Sequence, residues 1–412
     1  MNDVSAEMRP QTQRRKAALI FIFITVVLDM LALGMIVPVL PILVRNFLGG
    51  DTARASEVFG VFASAWALMQ FLSSPIQGAL SDRFGRRPVI LISNFGMGLD
   101  YIFMALAPSL AWLFVGRLIS GITAASISTA FAYIADVTPP EKRAEGFGLI
   151  GAAFGIGFVL GPALGGLLGG IDPRAPFWVA AALSLANAMY GLFVLPESLP
   201  PERRAAFAWR RANPVGALVL LRSHPELTGL ALVNFLGNVA HAVLPAVTVL
   251  YMAYRYGFDE WRVGLTLALV GVCSLVVQLG LTGRFVARFG ERGALLAGLV
   301  FGAAGFALYG AATTGTMFLI GVPLMALWGL AGPAAQGLMT RRVSPSEQGQ
   351  LQGANASITG IANLVGPGLF ALTFAYAIGT SSGWHPPGAP FLLAALLLAL
   401  SALLAWRVTR VR

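Results

Sequence analysis

The 412-residue sequence has few charged residues, three histidines and a single cysteine. Only 11% of its residues are charged and 57% are hydrophobic, whereas roughly a quarter of the residues in soluble domains are charged. A soluble fold could not bury this much apolar surface, so the composition excludes the soluble classes and indicates a membrane protein. Because Cys273 is alone, an intrachain disulfide is excluded, and we expect it to be a small packing residue.

Motifs of membrane-embedded or nucleotide-driven enzymes are also missing. The sequence contains neither a phosphate-binding Walker loop nor a His-Glu-x-x-His zinc motif. We therefore predict that the protein is not an enzyme and that it uses no cofactor and no metal. Without an ATP site, an ion gradient is the expected source of energy.

Acidic residues are outnumbered, and the formal net charge is +10. A basic excess of this size can indicate nucleic acid, but the arginines and lysines crowd every second connection between apolar runs. This alternation is the positive-inside pattern of a bundle with an even number of helices. It predicts a multi-pass protein of the cell (inner) membrane with both termini in the cytoplasm. We expect a monomer with no nucleic-acid partner.

Apolar runs of roughly 18 to 28 residues, long enough to cross a ~30 Å bilayer core, occur about twelve times. A polar stretch rich in proline and arginine separates them into two sets of six. The predicted fold is therefore an all-α integral membrane protein with about twelve transmembrane helices. We predict a cytoplasmic N-terminal segment over 1–16, a six-helix bundle over 17–195, a cytoplasmic linker over 196–222 and a second six-helix bundle over 223–412.

The second set of runs repeats the first at a shift of 205 residues. A polar, basic stretch over 78–88, expected to be a loop of about eleven residues, returns weakened: Arg83, Phe84, Gly85 and Arg87 fall on Arg288, Phe289, Gly290 and Arg292. The same shift carries Gly161 and Pro162 onto Gly366 and Pro367. One register that joins distant segments indicates an internal duplication, and so two pseudo-symmetric bundles.

Three charged residues interrupt the apolar runs of the first half. Helical rise places Asp29 about 18 Å, Asp100 about 16 Å and Arg117 about 20 Å from the inner edge of the core. Each would cost roughly 2.5 to 3.5 kcal/mol in lipid, so they should face a cavity or one another. One interpretation is a buried ion pair that fixes helix packing. The other is proton or substrate handling, with Arg117 and a carboxylate approaching and separating.

The second half has no acid at this depth. After Leu227 the acids are Asp259, Glu260, Glu291 and Glu347, all in connections. The run instead offers Asn234, Asn238 and His241, spaced i, i+4 and i+7 on one helical face, and Asn234 is the shifted counterpart of Asp29. For His241 an interhelical hydrogen bond is an equally good interpretation. Other uncharged groups that could line a pocket are Gln278, Gln336 and Asn355.

Glycines concentrate in the fifth apolar run. They permit close helix packing, and the proline among them permits a bend within a membrane helix. The residues of this pattern are Gly151, Gly155, Gly161, Pro162, Gly165 and Gly166.

Together these residues resemble the major facilitator superfamily, and more narrowly its drug:proton antiporters of the tetracycline-efflux type. The resemblance rests on Leu28-Asp29, on Ser81 through Pro88, on Asp100-Tyr101, on Gly116-Arg117-Leu118 and on the glycine pattern from Gly155 to Gly166. It implies two six-helix bundles that rock around a central site. It also implies efflux of a small amphipathic substrate in exchange for protons. Asp29, Asp100 and Arg117 then belong to proton coupling, Tyr101 to the substrate pocket, and the glycine pattern to an antiporter motif.

The resemblance further implies a cytoplasmic latch that holds the two halves together. Its residues would be Gly78, Asp82, Arg83, Gly85, Arg86 and Arg87, with Asp136 and Arg143 as partners. The alternative is a basic loop that only sets topology. This alternative explains the basic residues of the stretch but not the acidic Asp82.

One departure from the pattern concerns the ninth helix. Tetracycline-specific relatives carry an intramembrane aspartate there, whereas the run over 294–312 has none. This favours a substrate other than metal-chelated tetracycline. Two alternatives to efflux are a metabolite uptake symporter or facilitator, because the fold does not fix direction, and a transport-inactive membrane sensor.

Overall fold

The computed structural model describes residues 3–124, 126–139, 143–207, 213–344, 347–379 and 386–410. Regular structure in these ranges is helical. The α-helices of the first half are α1 (Asp3–Ile36), α2 (Leu40–Phe47), α3 (Thr52–Phe84), α4 (Arg86–Ala105), α5 (Leu110–Thr123), α6 (Ser126–Val137), α7 (Arg143–Gly169) and α8 (Ala175–Val194). Those that follow are α9 (Leu220–Ser223), α10 (Pro225–His241), α11 (Val243–Tyr256), α12 (Glu260–Leu275), α13 (Thr282–Ala311), α14 (Gly315–Ala326), α15 (Ala331–Thr340), α16 (Gln348–Ile378) and α17 (Ala389–Val408).

Eleven helical stretches in the described ranges are long and apolar enough to cross a membrane. One of them, Glu260–Ala311, has 52 residues, about 78 Å of helix and more than twice the ~30 Å that one crossing needs. Within it Gly290 has φ 71° and ψ 170°, which is not helical. The stretch is thus long enough for two crossings that divide at Gly290. The all-α membrane fold is confirmed, with about twelve crossings.

The chain forms two compact units. The first unit is Met1–Ile36 with Leu72–Asn213, and the second is Val37–Phe71 with Pro214–Arg412. The units resemble the two predicted bundles but place residues 37–71 with the second half. The predicted boundaries at 17–195 and 223–412 therefore remain a prediction.

Prolines shape the end of the first crossing. Between α1 and α2 lie residues 37–39, and α2 has a proline in its first turn. Pro38 and Pro41 cannot donate backbone hydrogen bonds to a continuing helix, which explains the break.

Within the first unit, α1 and α7 meet at their glycines. A Cβ added to Gly161 would lie 2.7 Å from Gly34 Cα, and one added to Gly165 would lie 2.2 Å from Met35 O. Only hydrogen fits at these positions, so the two backbones touch. Gly151 differs, because a Cβ there would meet no atom within 4 Å. The predicted glycine pattern thus contains packing glycines and at least one that packing does not require.

The second unit repeats this contact. A Cβ added to Gly366 on α16 would lie 2.4 Å from the Cβ of Ala242, which follows α10, and 3.4 Å from Val239 O on α10. Since 239 − 34 = 205 and 366 − 161 = 205, the pair Gly366–Val239 is the shifted copy of Gly161–Gly34. Pro162 lies inside α7 and Pro367 inside α16. The structure therefore carries the same duplication as the sequence.

The expectation of a loop over 78–88 is wrong. α3 continues to Phe84 and α4 begins at Arg86, so the chain breaks only at Gly85. Gly85 has φ 107° and ψ 161°, a region open to glycine alone. Gly290, its shifted counterpart, has the related values of 71° and 170°. A polar and basic composition suggested a loop, but one glycine in this conformation is enough to turn the chain between two helices.

Candidate functional site

Asp29 lies in the core of the first unit, where α1, α4 and α8 meet. It is 2% exposed. Asn187 Nδ2 donates to Asp29 Oδ1 at 2.8 Å and to Thr25 O at 2.9 Å. The Asn94 amide, in the orientation that satisfies both its nitrogen and its oxygen, donates to the same carboxylate at 3.1 and 3.2 Å and accepts from Asn187 Nδ2 at 3.0 Å. Two buried amides thus hold one buried carboxylate.

Sequence reasoning missed Asn94 and Asn187. Both fall inside apolar runs, where an amide side chain is costly unless it finds a partner. The sequence therefore contained a signal for this contact: two amides inside apolar runs need hydrogen-bond partners, and the Asp29 carboxylate in another apolar run is a strong acceptor. Asn187 lies 158 residues from Asp29, so no local spacing joins the two.

Asp100 is buried to the same extent but is held differently. It is 2% exposed, and among the described residues neither of its carboxylate oxygens has a hydrogen-bond partner. Arg117 on α5 interacts with it electrostatically. A Cβ added to Gly116 would lie 3.3 Å from Asp100 Oδ1, so the backbone beside Arg117 lies against the carboxylate. A carboxylate without donors is costly to bury, and Arg117 is the group that offsets this cost.

Tyr101 lies near the two acids. It is 1% exposed and within electrostatic range of Asp100, Arg117 and Asp29, and among the described residues its hydroxyl has no hydrogen-bond partner. The structure therefore brings the three predicted proton-coupling residues together in the first unit. It places Tyr101 in this buried acid cluster, although the sequence suggested a position in a substrate pocket.

The second unit brings together four of the predicted pocket residues through hydrogen bonds between amides. Asn238 Nδ2 donates to Asn234 Oδ1 at 3.0 Å, Asn234 Nδ2 to Asn355 Oδ1 at 3.3 Å, and Asn355 Nδ2 to Gln336 Oε1 at 2.8 Å. Thr359 Oγ1 donates to Asn238 Oδ1 at 3.4 Å. We call these five residues the amide chain. It joins α10, α15 and α16 without a formal charge.

Two further predicted pocket residues lie apart from the amide chain. His241 ends α10 and is exposed, with its ring centroid 5.6 Å from that of Trp328. Gln278 lies in a π-helical turn, Val276–Leu281, between α12 and α13. Thr282 Oγ1 donates to Val277 O at 3.0 Å and supports this turn. Turns of this kind are often found at functional sites.

At the predicted cytoplasmic end of the first unit, Arg86 binds two acids. Its guanidinium lies 2.6 Å from Asp82 Oδ1 and 3.0 Å from Asp136 Oδ2. Ser198 Oγ donates to the same Asp136 oxygen at 3.1 Å. We call the pair Arg86–Asp136 the first clamp, because it ties the start of α4 to the end of α6. The side chain of Arg143, the other predicted partner, lies outside the described residues.

Glu197 completes this region, and sequence reasoning assigned it no role. Its carboxylate accepts from the backbone N–H of Arg86 at 2.9 Å, of Arg87 at 3.3 Å and of Leu199 at 3.0 Å. It thereby caps the beginning of α4, whose own N-cap residue, Gly85, has no side chain to do so. A Cβ on Gly85 would lie 2.3 Å from Glu197 Oε2. Gly85 is therefore needed both for its backbone angles and for the space that Glu197 fills.

Of the other predicted latch residues, Arg87 donates from Nη2 to Leu192 O on α8. Arg83 stacks on the ring of Phe84 at 5.0 Å, and a Cβ on Gly78 would meet no atom within 4 Å.

Buried acids in one helical membrane unit and an uncharged polar network in a duplicated second unit are typical of a secondary transporter. The sequence matches the Major Facilitator Superfamily over residues 22–367. The chain belongs to this family and is a multi-pass membrane protein.

The chain is 40% identical to the class C tetracycline resistance protein of Escherichia coli over 366 residues, which cover 89% of this chain and 92% of that protein. It is 26% identical to multidrug resistance protein 2 of Bacillus subtilis, over 89% of this chain and 91% of the relative. Among solved structures, the human organic anion transporter MFSD10 superposes with a TM-score of 0.72 at 26% identity, covering 95% of this chain and 99% of its own. The family predicted from the residues is confirmed.

Proposed function

We propose that the protein is a proton-coupled drug efflux antiporter of the cell (inner) membrane that works by alternating access. The relatives named for tetracycline and multidrug resistance support export of a small amphipathic molecule. The arrangement of basic residues along the sequence supports cytoplasmic termini. The working unit is proposed to be a monomer.

The observation that carries this proposal is the buried Asp100 beside Arg117. With no hydrogen-bond donor among the described residues, Asp100 depends on one charged partner. A proton on Asp100 removes the charge that holds Arg117, and loss of the proton restores it. Protonation therefore favours one arrangement of α4 and α5 over another, which is what coupling to a conformational equilibrium requires.

Asp29 has a different part in the proposal. Two amides, one on α4 and one on α8, hold its carboxylate in place by hydrogen bonds. Tyr101 lies within electrostatic range of both acids, so the two carboxylates belong to one buried cluster. Asp29 then serves as the fixed acid of the cluster and Asp100 as the one that exchanges its partner.

The latch is proposed to work through Arg86, which binds both Asp82 and Asp136. Glu197 holds the turn at Gly85 and also the first residues after α8. The linker that follows α8 is thereby attached to the turn between α3 and α4. A movement of the linker is therefore transmitted to the turn, and a movement of the turn to the linker.

Proteoliposomes with an imposed pH gradient test this function. Tetracycline without divalent cations is the probe, because the run over 294–312 has no acid. Its movement against proton entry is measured for the wild type, Asp100→Asn and Asp29→Asn. Asp100→Asn should lose roughly a hundredfold of the gradient-driven rate, the upper range of allosteric coupling. Glu202→Gln, at an exposed acid in the linker, is the matched control and should keep the wild-type rate.

Efflux that ignores the pH gradient, or that survives both aspartate substitutions at normal protein abundance, would show that these acids do not couple transport to protons. If Asp29→Asn instead removes the protein from the membrane, its role is structural.

A further inference from the structure

A groove runs along the second unit between α3 and α16. Both of its sides belong to this unit, because the unit contains α3 up to Phe71 as well as α16. The groove is open on one side and has a volume of about 310 Å³. Apart from the carboxylate of Glu57 and the hydroxyl of Ser64, the side chains that line it are apolar. An open apolar groove of this kind needs an occupant that is itself apolar.

The groove exists because the two helices touch beside projecting side chains. A Cβ added to Gly60 would lie 2.5 Å from the Cβ of Ala371, and Ser56 Oγ donates to Ala371 O at 3.0 Å. Small residues therefore bring the backbones of α3 and α16 together. Val61 and Leu372, which also line the groove, are 58% and 60% exposed. The result is a narrow channel with a floor of small residues and larger apolar side chains at its edges.

The length of the groove matches one leaflet of a bilayer. On α3 it extends from Glu57 to Leu68, and eleven residues of helix rise about 16 Å. Half of the ~30 Å hydrocarbon core is about 15 Å. Glu57 directly precedes the apolar run that begins at Val58, so it marks one edge of the core. On α16 the ring of Tyr376, one turn beyond Leu372, is exposed, as is usual for tyrosine at a membrane interface.

Opposite charges lie on the same face of α3 at the interfacial end of the groove. Arg54 precedes Glu57 by three residues and Val61 by seven, so the three share one helical face. Arg54 and Glu57 are exposed, and within the described ranges neither side chain forms an ion pair. The nearby Asp51 carboxylate accepts from Arg54 N at 3.0 Å and caps α3. The shift of 205 residues places Arg262 at the position of Glu57, so the duplicated scaffold does not require an acid there.

We infer that this groove binds one acyl chain of a phospholipid whose headgroup carries a primary ammonium, as phosphatidylethanolamine does. The chain lies along the apolar floor, the ammonium donates to the Glu57 carboxylate, and the phosphate accepts from the Arg54 guanidinium. Buried apolar area and electrostatic attraction then act together, as they do in other contacts with lipid. A choline headgroup has no N–H to donate, and an anionic headgroup without an amine leaves Glu57 without a cation. The proposed cytoplasmic N-terminus places the site in the outer leaflet.

Native mass spectrometry of the full chain in detergent tests the headgroup preference. Phosphatidylethanolamine, phosphatidylcholine and phosphatidylglycerol with identical acyl chains are titrated, and the dissociation constant of the first bound lipid is measured. The wild type should bind phosphatidylethanolamine about tenfold more tightly than the other two, which corresponds to one charge-assisted hydrogen bond. Glu57→Gln should remove this preference without weakening the binding of phosphatidylcholine. Glu260→Gln, at an acid that begins α12 outside the groove, is the matched control and should keep the preference.

Two further measurements locate the acyl chain. Ala65→Phe should fill the groove and raise the dissociation constant for phosphatidylethanolamine by about tenfold or more, and Ala65→Leu keeps the test available if phenylalanine prevents folding. Phosphatidylethanolamine with a photoreactive diazirine at the end of one acyl chain should label peptides that contain Leu68 and Leu364, at the end of the groove away from Glu57.

Several results would overturn this inference. Equal affinity for the three lipids, or a preference that persists in Glu57→Gln, would refute the role of the ammonium. Unchanged binding in the Ala65 variants, or labelling confined to other helices, would show that the lipid does not occupy the groove. A dimer that Ala65→Phe dissociates would mean that a second copy of the chain occupies it. Lipid binding is measured without transport, so none of these results bears on the proton coupling that Asp100→Asn tests.

Discussion

Asp29 and Asn234 occupy the same place in the duplicated sequence, yet their surroundings have diverged. Asp29 is bound inside the first unit by amides from α4 and α8. Asn234 is bound by Asn238 on its own helix and donates to Asn355 on α16. The shifted counterparts of Asn94 and Asn187 are Leu299 and Leu392. The duplication kept a polar residue at this depth, charged in the first half and neutral in the second, and each copy has amide partners of its own.

The first clamp also has a counterpart in the second unit, which we call the second clamp. Adding 205 to Arg86 and Asp136 gives Glu291 and Arg341, and these two side chains also form an ion pair, at 2.9 Å. The first clamp has a spacing of 3.0 Å. The contact has therefore been kept while its two charges have exchanged places. The two positions form an ion pair in each unit, although the positive residue stands at the first position in one and at the second position in the other.

The largest expected difference between the halves concerns the polar networks. Asn187→Leu removes a donor from a buried carboxylate and should lower the free energy of unfolding by about 3 kcal/mol. Asn355→Leu removes neutral hydrogen bonds and should cost about 1 kcal/mol, as is usual for such bonds between membrane helices. Denaturation in detergent, followed by tryptophan fluorescence, measures both.

Asn187→Ser, which keeps a hydroxyl donor, is the control for the loss of the donor and should be intermediate. Equal losses of unfolding free energy for the two leucine variants would mean that the charge of Asp29 does not make its network more costly to disrupt than the neutral network of Asn234.

Much of this architecture could be predicted from the sequence, because membrane-crossing helices require long apolar runs and a duplication gives a repeated pattern of residues. The apolar runs, the repeat and the acids at one depth are visible without a structure, and Asp29, Asp100 and Arg117 do lie together. The partners of these residues are less visible. Glu197 caps a helix that begins 111 residues earlier, and only the folded bundle brings such distant positions together.

One error has a physical cause. The stretch 78–88 was expected to be a loop because it is polar, but polar residues are also tolerated in helices that extend beyond the bilayer. The pocket position that the resemblance implied for Tyr101 stays a prediction, and the structure buries this side chain near the acids. Composition indicates the environment of a segment better than it indicates the direction of each side chain.

The two glycine turns allow a smaller but sharper comparison. Gly85 and Gly290 both have positive φ, at 107° and 71°, so alanine should cost about 1 kcal/mol of strain at either position. At Gly290 the new Cβ meets nothing within 4 Å, whereas at Gly85 it meets the Glu197 carboxylate. Gly85→Ala should therefore displace the cap of α4 and cost about 3 kcal/mol in total.

Thermal unfolding of the two alanine variants in the same detergent measures this difference. Glu197→Gln is the accompanying control, since it weakens the cap without adding a Cβ. Should Gly290→Ala cost as much as Gly85→Ala, backbone strain alone would account for both positions, and Glu197 would have no special part in the first turn.

The smallest expected difference lies between the clamps. In the first clamp the side chains of Arg86 and Asp136 are 11% and 21% exposed, while Arg341 in the second is 75% exposed. A double-mutant cycle with Arg86→Gln and Asp136→Asn should give a coupling energy of about 2 kcal/mol. A cycle with Glu291→Gln and Arg341→Gln should give about 0.5 kcal/mol, because exposed pairs are screened by water.

Exchange of the second pair, Glu291→Arg with Arg341→Glu, should restore the stability that either single reversal loses. If the exchange fails to restore it, the polarity of the second clamp matters for contacts other than the pair, and the inversion between the halves is not a neutral swap.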